Sequence, residues 1–292
     1  MLSGVIAIDK PEGFTSFDVV AKLRGIFKER RIGHSGTLDP LATGVLPVFL
    51  GKAARAADIL PDPKKRYTAG FALGFETDTQ DISGAVIKTG GKKISRELLE
   101  EILPAFSGEI YQTPPMYSAV KIGGKRLYQL AREGKTVERP SRSVTVFEIK
   151  LDGFDESLQK GVLSVECSKG TYIRTLINDI GEALGSFAAM TSLRRTYSQG
   201  FDISDCLSIE AVEEAARSGS AQSLLAPVER RFECYPKMLL DPLAEKKYKN
   251  GVLPAAPESL KNGFVRVFGS EFLGICEVSD GALKIYRNFW GD

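Results

Sequence analysis

Short apolar runs of strand composition at residues 5–8, 45–50, 67–73, 144–151 and 162–167 are interspersed with only a few stretches of helical periodicity. This irregular alternation constrains the fold more than any other feature. A doubly wound parallel sheet needs a helix after nearly every strand, so the pattern points to the α+β class. Within residues 16–30, Val20, Leu23 and Phe27 recur at helical spacing behind Ser16, which reads as the cap. Ser95 is placed to cap a second helix, with Ile94 and Leu99 as a hydrophobic staple. Leu207, Ser208 and Val212 repeat that arrangement for a third.

A chain of 292 residues, 43% hydrophobic and 26% charged, can bury a sizeable core and has the length of about two domains. No fixed-period repeat or low-complexity segment appears. Around residues 227–242 the texture changes, and Gly251, Pro254, Pro257 and Gly263 follow. Three β-type runs then occur at 264–268, 272–278 and 283–289, separated by Gly269-Ser270 and Asp280-Gly281 turn signals. The expected division is 1–234 and 235–292, the second a small β domain.

The formal net charge is +2, so bulk charge selects no partner. Cys167, Cys206, Cys234 and Cys276 form no CxxC pair and His34 is the single histidine, which excludes paired-cysteine and His-rich zinc sites and makes Ser-His or Cys-His catalysis depend on one imidazole. The apolar patch at residues 1–10 is broken by Asp9 and Lys10 with no basic leader, and no run of 18 apolar residues occurs. A cytoplasmic protein with free thiols, and no membrane partner, is expected.

Three segments concentrate chemistry. Gly33-His34-Ser35-Gly36-Thr37-Leu38-Asp39-Pro40-Leu41-Ala42-Thr43-Gly44 packs three glycines and an aspartate into a tightly turned loop. Asp39 before Pro40 also reads as an ordinary helix cap with proline at the first helical position, and His34 as a hydrogen-bonded loop residue; both alternatives stay open. Neither Gly51-Lys52 nor Gly123-Gly124-Lys125 completes a phosphate loop, because Leu46, Ala53 and Arg126 stand where the motif needs other residues. Residues 117–143 hold seven basic side chains, Lys125 and Arg126 among them, against Glu133 and Glu138, with Tyr117 and Tyr128 interleaved. That suits a nucleic-acid backbone or a solvated basic helix face. In the third segment, 167–176, a strand runs into a helix, and Tyr172 and Arg174 project toward one cleft if the backbone there is still extended.

Taken together, Asp9-Lys10-Pro11-Glu12-Gly13, the GHSGTLDPLATG loop, Lys65-Arg66-Tyr67, the PPMYSAVK and GKRLYQLAREG stretch, SKGTYIRTL and Leu193-Arg194-Arg195 resemble, in order, the bacterial tRNA pseudouridine synthase B (TruB) family. The resemblance implies a pseudouridine synthase domain with a mixed, largely antiparallel sheet flanked by helices and loops. By placement it also implies a small C-terminal β-barrel of the RNA-binding PUA type. It implies isomerisation of uridine 55 in the tRNA T-loop, with the T-arm stem-loop as partner, no cofactor, no metal and no obligate protein partner. Asp39 matches the catalytic aspartate, Arg174 its paired arginine, Tyr172 a tyrosine near the base and Tyr67 the aromatic that stacks on the flipped uracil. His34 matches the histidine that enters the T-loop, and Leu193 an apolar pocket wall.

The chemistry agrees. Breaking the N1–C1′ bond and joining C5 to C1′ needs no redox change, only a carboxylate held ionised in a dry pocket. A neighbouring guanidinium is expected to lower the carboxyl pKa from its reference near 3.9 and to offset desolvation. Extruding a base costs a few kcal/mol, and stacking on an aromatic returns roughly 1–3 kcal/mol. The rivals are a guide-RNA-dependent uridine isomerase with protein partners, and an RNA-binding or tRNA-folding module without catalysis. A metal-dependent nuclease would need clustered carboxylates that the sequence lacks.

Overall fold

The computed structural model describes residues 2–291. The chain opens with β1 (Gly4–Lys10), α1 (Ser16–Phe27), the short β2 (Ile32–His34) and β3 (Ala42–Leu50). β4 (Lys64–Leu73) is followed by a hairpin of β5 (Phe75–Thr77) and β6 (Val86–Thr89), then α2 (Arg96–Ile102) and β7 (Gly108–Gln112). A second small hairpin, β8 (Lys121–Ile122) and β9 (Lys125–Arg126), leads to α3 (Leu127–Arg132). The long hairpin of β10 (Arg142–Asp155) and β11 (Lys160–Ser168) enters α4 (Ile173–Ala183), β12 (Ala188–Ser198), β13 (Phe201–Asp202) and α5 (Ile209–Arg217). Last come β14 (Lys237–Leu239), α6 (Pro242–Lys249), β15 (Gly263–Phe268), β16 (Phe272–Ser279) and β17 (Ala282–Asn288).

The main sheet runs β1-β3-β12-β4-β11-β10-β7, with β2 beside β3 and β13 beside β12. Every pairing in it is antiparallel except β3 with β12, where Leu193 lies opposite Ala42. The expected mixed, largely antiparallel sheet is therefore present. β12 joins its two halves, yet residues 188–198 are not among the expected strands, because Arg194 and Arg195 break the apolar run. Arg195 is nevertheless fully buried: its Nε donates to the Val45 carbonyl (2.7 Å) and a terminal nitrogen to that of Gly36 (2.8 Å).

On one face, α4 and α2 bury Ile173, Leu176, Ile180 and Leu99 against Phe71, Val165 and Met190. On the β1–β3 half, α1 and α5 cover Ile6, Ile8, Leu46 and Val48. The staples at Ile94/Leu99 and Leu207/Val212 form as expected, with Ser95 and Ser208 accepting from the backbone N–H of Leu98 and Ala211. The α1 cap differs. Thr15, not Ser16, accepts from the Asp18 N–H, and the Asp18 carboxylate accepts from that of Thr15 (2.8 Å). Ser16 is buried instead, its hydroxyl donating to the Leu38 carbonyl (3.2 Å) and accepting from the Leu38 N–H (2.9 Å), which clamps the glycine-rich loop to α1.

The C-terminal strands form a separate sheet of order β14-β15-β16-β17, with β14 parallel to β15 and the rest antiparallel. That order is open, and no closed barrel forms among the described residues. The sheet shares a core with the larger unit: Ile275 and Phe289 pack among Phe49, Ala53, Ile59 and Phe232. Arg287 also pairs with Asp58 (2.9 Å), and Arg55 donates to the Asn288 side chain (3.0 Å).

Candidate active site

Asp39 caps no helix, which removes the cap reading. Pro40 and Leu41 form a tight turn that leads into β3, with the Ala42 N–H donating to the Asp39 carbonyl (3.0 Å). Three further contacts fix that turn. Gly13 N–H donates to the Pro40 carbonyl (2.9 Å), the Ser16 hydroxyl holds Leu38, and the buried Lys10 ammonium lies beneath, bonded to the carbonyls of Pro11 and Phe14. Gly36 has φ +72°, a left-handed backbone that favours glycine, and a Cβ there would also displace Lys65 Nζ, 2.8 Å away, and crowd an Arg195 terminal nitrogen at 3.1 Å.

The loop presents Asp39 to a cleft of about 240 Å³ walled by Tyr67 and Lys65 of β4, Leu193 of β12, Tyr172, Ile173 and Arg174 around the start of α4, and Ser118 and Ala119 from the β7–β8 connection. A wider, more open groove of about 450 Å³ between α2 and β10 touches none of the motif residues. Arg174 Nε lies 2.9 Å from Asp39 Oδ2, with Arg174 almost wholly buried and Asp39 38% exposed toward the cleft. The rest of the guanidinium is anchored on backbone: its two terminal nitrogens donate to the carbonyls of Thr79 and Tyr117, both at 2.8 Å.

Tyr172 and Arg174 do reach one cleft, by a different route from strand alternation. Tyr172 is the last extended residue and Arg174 the second of α4. The buried Gln112 side chain fixes this junction, accepting from the Tyr172 N–H (3.0 Å) and donating to its carbonyl (3.2 Å). Tyr67 and Leu193 meet because β4 and β12 are neighbours, with Leu193 opposite Ala69.

Asp81 escapes sequence reasoning. Its carboxylate lies 3.8 Å from Arg174 Nε and accepts from the hydroxyls of Ser83 and Thr79. Nothing in the sequence marks it, since it sits in an unremarkable stretch, 78–84, that the Ile82 N–H to Met190 carbonyl bond draws onto β12. Its presence corrects the expected electrostatics. Burial pushes the Asp39 pKa up from the ordinary carboxylate value; Arg174 opposes this, but Asp81 adds repulsion and the net direction is upward.

His34, Lys125 and Arg126 lie outside the cleft wall. His34 ends β2 opposite Val48, its Nδ1 buried without a hydrogen-bond partner, and burial together with Arg195 lowers its pKa, which favours the neutral ring. Lys125 and Arg126 are exposed on β9. Lys125 Nζ lies 3.7 Å from Glu133, and the Arg126 guanidinium lies against the Tyr128 ring and hydroxyl. Among the described residues no cluster of three or more metal-ligating side chains occurs, and no helix is long and apolar enough to cross a membrane.

With this geometry in place, the comparisons identify the class. Residues 24–173 match the model of the TruB family pseudouridylate synthase N-terminal domain, and residues 174–233 that of the tRNA pseudouridylate synthase B C-terminal domain. The chain belongs to the TruB family of pseudouridylate synthases, which are isomerases. It is 41% identical to a tRNA pseudouridine synthase B of Bacillus cereus over 98% of this chain and 93% of the relative. It is 44% identical to one from Geobacillus kaustophilus over 89% and 93%. Among solved structures, it resembles a chain from a Cbf5-Nop10-Gar1 complex at TM-score 0.74 and 27% identity, covering 98% of this chain and 85% of that one. A second similar chain, from an H/ACA RNP bound to a substrate RNA containing 2′-deoxyuridine, gives TM-score 0.72 at 25% identity over 99% and 85%.

Proposed function

We propose that this protein isomerises uridine 55 in the T-loop of tRNA to pseudouridine, using Asp39 as the catalytic carboxylate and no cofactor. The observation that carries the reading is the Asp39 carboxylate, open to a cleft sized for one base, with its Oδ2 against a guanidinium anchored to two backbone carbonyls. A carboxylate so placed can act on the sugar or ring of a base that has left its stack, while Tyr67 stacks on that base, Tyr172 borders it and Leu193 excludes water. His34 acts as a neutral wedge that displaces the uridine from the T-loop. Lys125 and Arg126 contact T-arm phosphates.

The division at 234/235 and the assignment of 235–292 as a PUA-like RNA-binding module belong to the same reading. They are supported by the separate C-terminal sheet and its position after the residues matched by the family models. The protein acts in the cytoplasm without an obligate protein partner. Its 41–44% identity to relatives named tRNA pseudouridine synthase B, against 27% to the Cbf5 chain, favours free tRNA over a guide-RNA assembly. The test is incubation of the purified protein with tRNA tritiated at uridine C5, without added metal, RNA or protein. Forming the C5–C1′ bond must expel that hydrogen, so tritium release is expected. Release only after a guide RNA and partner proteins are added would overturn the reading.

A further inference from the structure

The Asp39 cleft contains a cation that the pairing of Asp39 with Arg174 does not use. Lys65 projects from β4 on the same side as Tyr67, is only 9% exposed, and lines the cleft. Among the described residues its ammonium has neither a hydrogen bond nor a carboxylate partner, whereas Arg174 is held by Asp39 and two carbonyls. Arg195 lies behind it, also without a carboxylate and with one terminal nitrogen unpaired. An unneutralised ammonium in a desolvated wall is costly unless something negative arrives there.

Under the proposed function, the negative charge arises in the reaction itself. If a carboxylate attacks C1′, or removes the C2′ proton, the N1–C1′ electron pair passes to the uracil and is shared by N1, O2 and O4. If it adds at C6, the C5–C6 π pair passes toward O4. We propose that Lys65 is a further catalytic residue whose ammonium hydrogen-bonds a uracil carbonyl oxygen and stabilises the charge that develops on the base when it is activated. No proton is transferred and no co-reactant is needed.

Burial, and Arg195 after it, lower the Lys65 pKa to about 8. The other titratable and charged groups around Lys65 are Cys167, its cross-strand neighbour on β11, and Lys169, with Tyr67 two residues along β4 on the same side and Asp39 elsewhere on the cleft wall. Cys167 is pushed up to about 11 and Tyr67 is also raised, so neither accounts for a loss of activity near pH 8; burial also lowers Lys10, beneath the Asp39 turn, to about 8, and the Lys65→Arg variant separates the two amines.

The test compares wild type with Lys65→Met and Lys65→Arg in single-turnover tritium release with saturating enzyme in excess over tRNA, with filter binding across a salt series and a melting curve for each. For Lys65→Met the rate should fall about 10²–10³-fold, as when one donor to a developing oxyanion is removed, while affinity stays within a few fold and the salt slope is unchanged. The wild-type rate should decline above pH 8, and Lys65→Arg should retain part of the rate and lose that decline. An unchanged Lys65→Met rate overturns the proposal. So does a rate loss that raising the enzyme to saturation repairs together with a shallower salt slope, which would make Lys65 a phosphate contact. If Lys65→Met melts uncooperatively, Lys65→Arg decides: a decline above pH 8 that persists in it overturns the proposal. This inference rests on the proposed function; a wild type that releases no tritium defeats both, whereas normal wild-type release with an indifferent Lys65 defeats this one alone.

Discussion

At the residue scale, the site works by sharing one guanidinium between two carboxylates. Arg174 Nε lies at 2.9 Å from Asp39 and 3.8 Å from Asp81, and Asp81 is tied to Ser83 and Thr79 so that it cannot move away. With burial as the main cause and Asp81 adding repulsion, Asp39 ionises less readily than a free carboxylate, and activity that needs its charge should fall as pH drops through that raised value. Asp81→Asn removes the repulsion and leaves Arg174 to Asp39 alone. Both changes lower the Asp39 pKa, so the acid limb of the pH–rate profile should move to lower pH; a shift to higher pH would contradict this arrangement. The sequence displays Asp39 and Arg174 in recognisable motifs, but not their common partner. Asp81 is a neighbour only through the strand-like contact of 78–84 with β12, and Lys65 only through the alternation of a strand whose other side is exposed.

At the element scale, sequence pattern predicts structure best where an apolar run has one possible partner. The cores of β1, β3, β4, β10 and β11 and the three C-terminal strands lie where their runs predict. Pattern fails at β12, where a buried arginine sits in the middle of the sheet, and at Ser16, whose hydroxyl holds the Asp39 loop while Thr15 caps the helix. A buried arginine held by two backbone carbonyls looks polar in sequence and sits within the core of the fold. The basic β8–α3 segment is exposed and partly self-paired through Glu133, yet Arg126 and Arg132 both lie near Tyr128 and remain accessible to an anion. Replacing Lys125 and Arg126 together with Ala should make the slope of log affinity against log salt shallower by about 0.7–0.9 for each phosphate that is no longer neutralised. An unchanged slope, measured by filter binding with tRNA, would assign both side chains to solvent.

At the scale of the whole molecule, the change in texture near residue 235 does mark a second sheet, but composition could not show how closely it is joined to the first. Phe232 is fully buried and lies beside the rings of Tyr235, Phe272 and Phe289, so the C-terminal strands cover part of the larger unit's own core. Deleting residues 235–292 should therefore weaken tRNA binding and also lower the melting temperature by several degrees. Uncovering even one large apolar side chain costs about 1.5–3 kcal/mol, and each kcal/mol shifts a domain of this size by about 2–4 °C. Turnover at saturating tRNA should remain measurable, since Asp39, Arg174, Tyr172, Tyr67 and Leu193 all lie upstream; a truncated chain that melts as the full one does would contradict the shared core. Under the proposed function, catalysis depends on Asp39 acting as a reactive carboxylate. Asp39→Asn keeps the shape and the tight turn into β3 while removing the charge and the reactive oxygen, and no other carboxylate stands in that loop. Tritium release and filter binding on this variant test the claim most directly: the expected result is tRNA affinity within a few fold of wild type with turnover below detection, and near-normal release would contradict it.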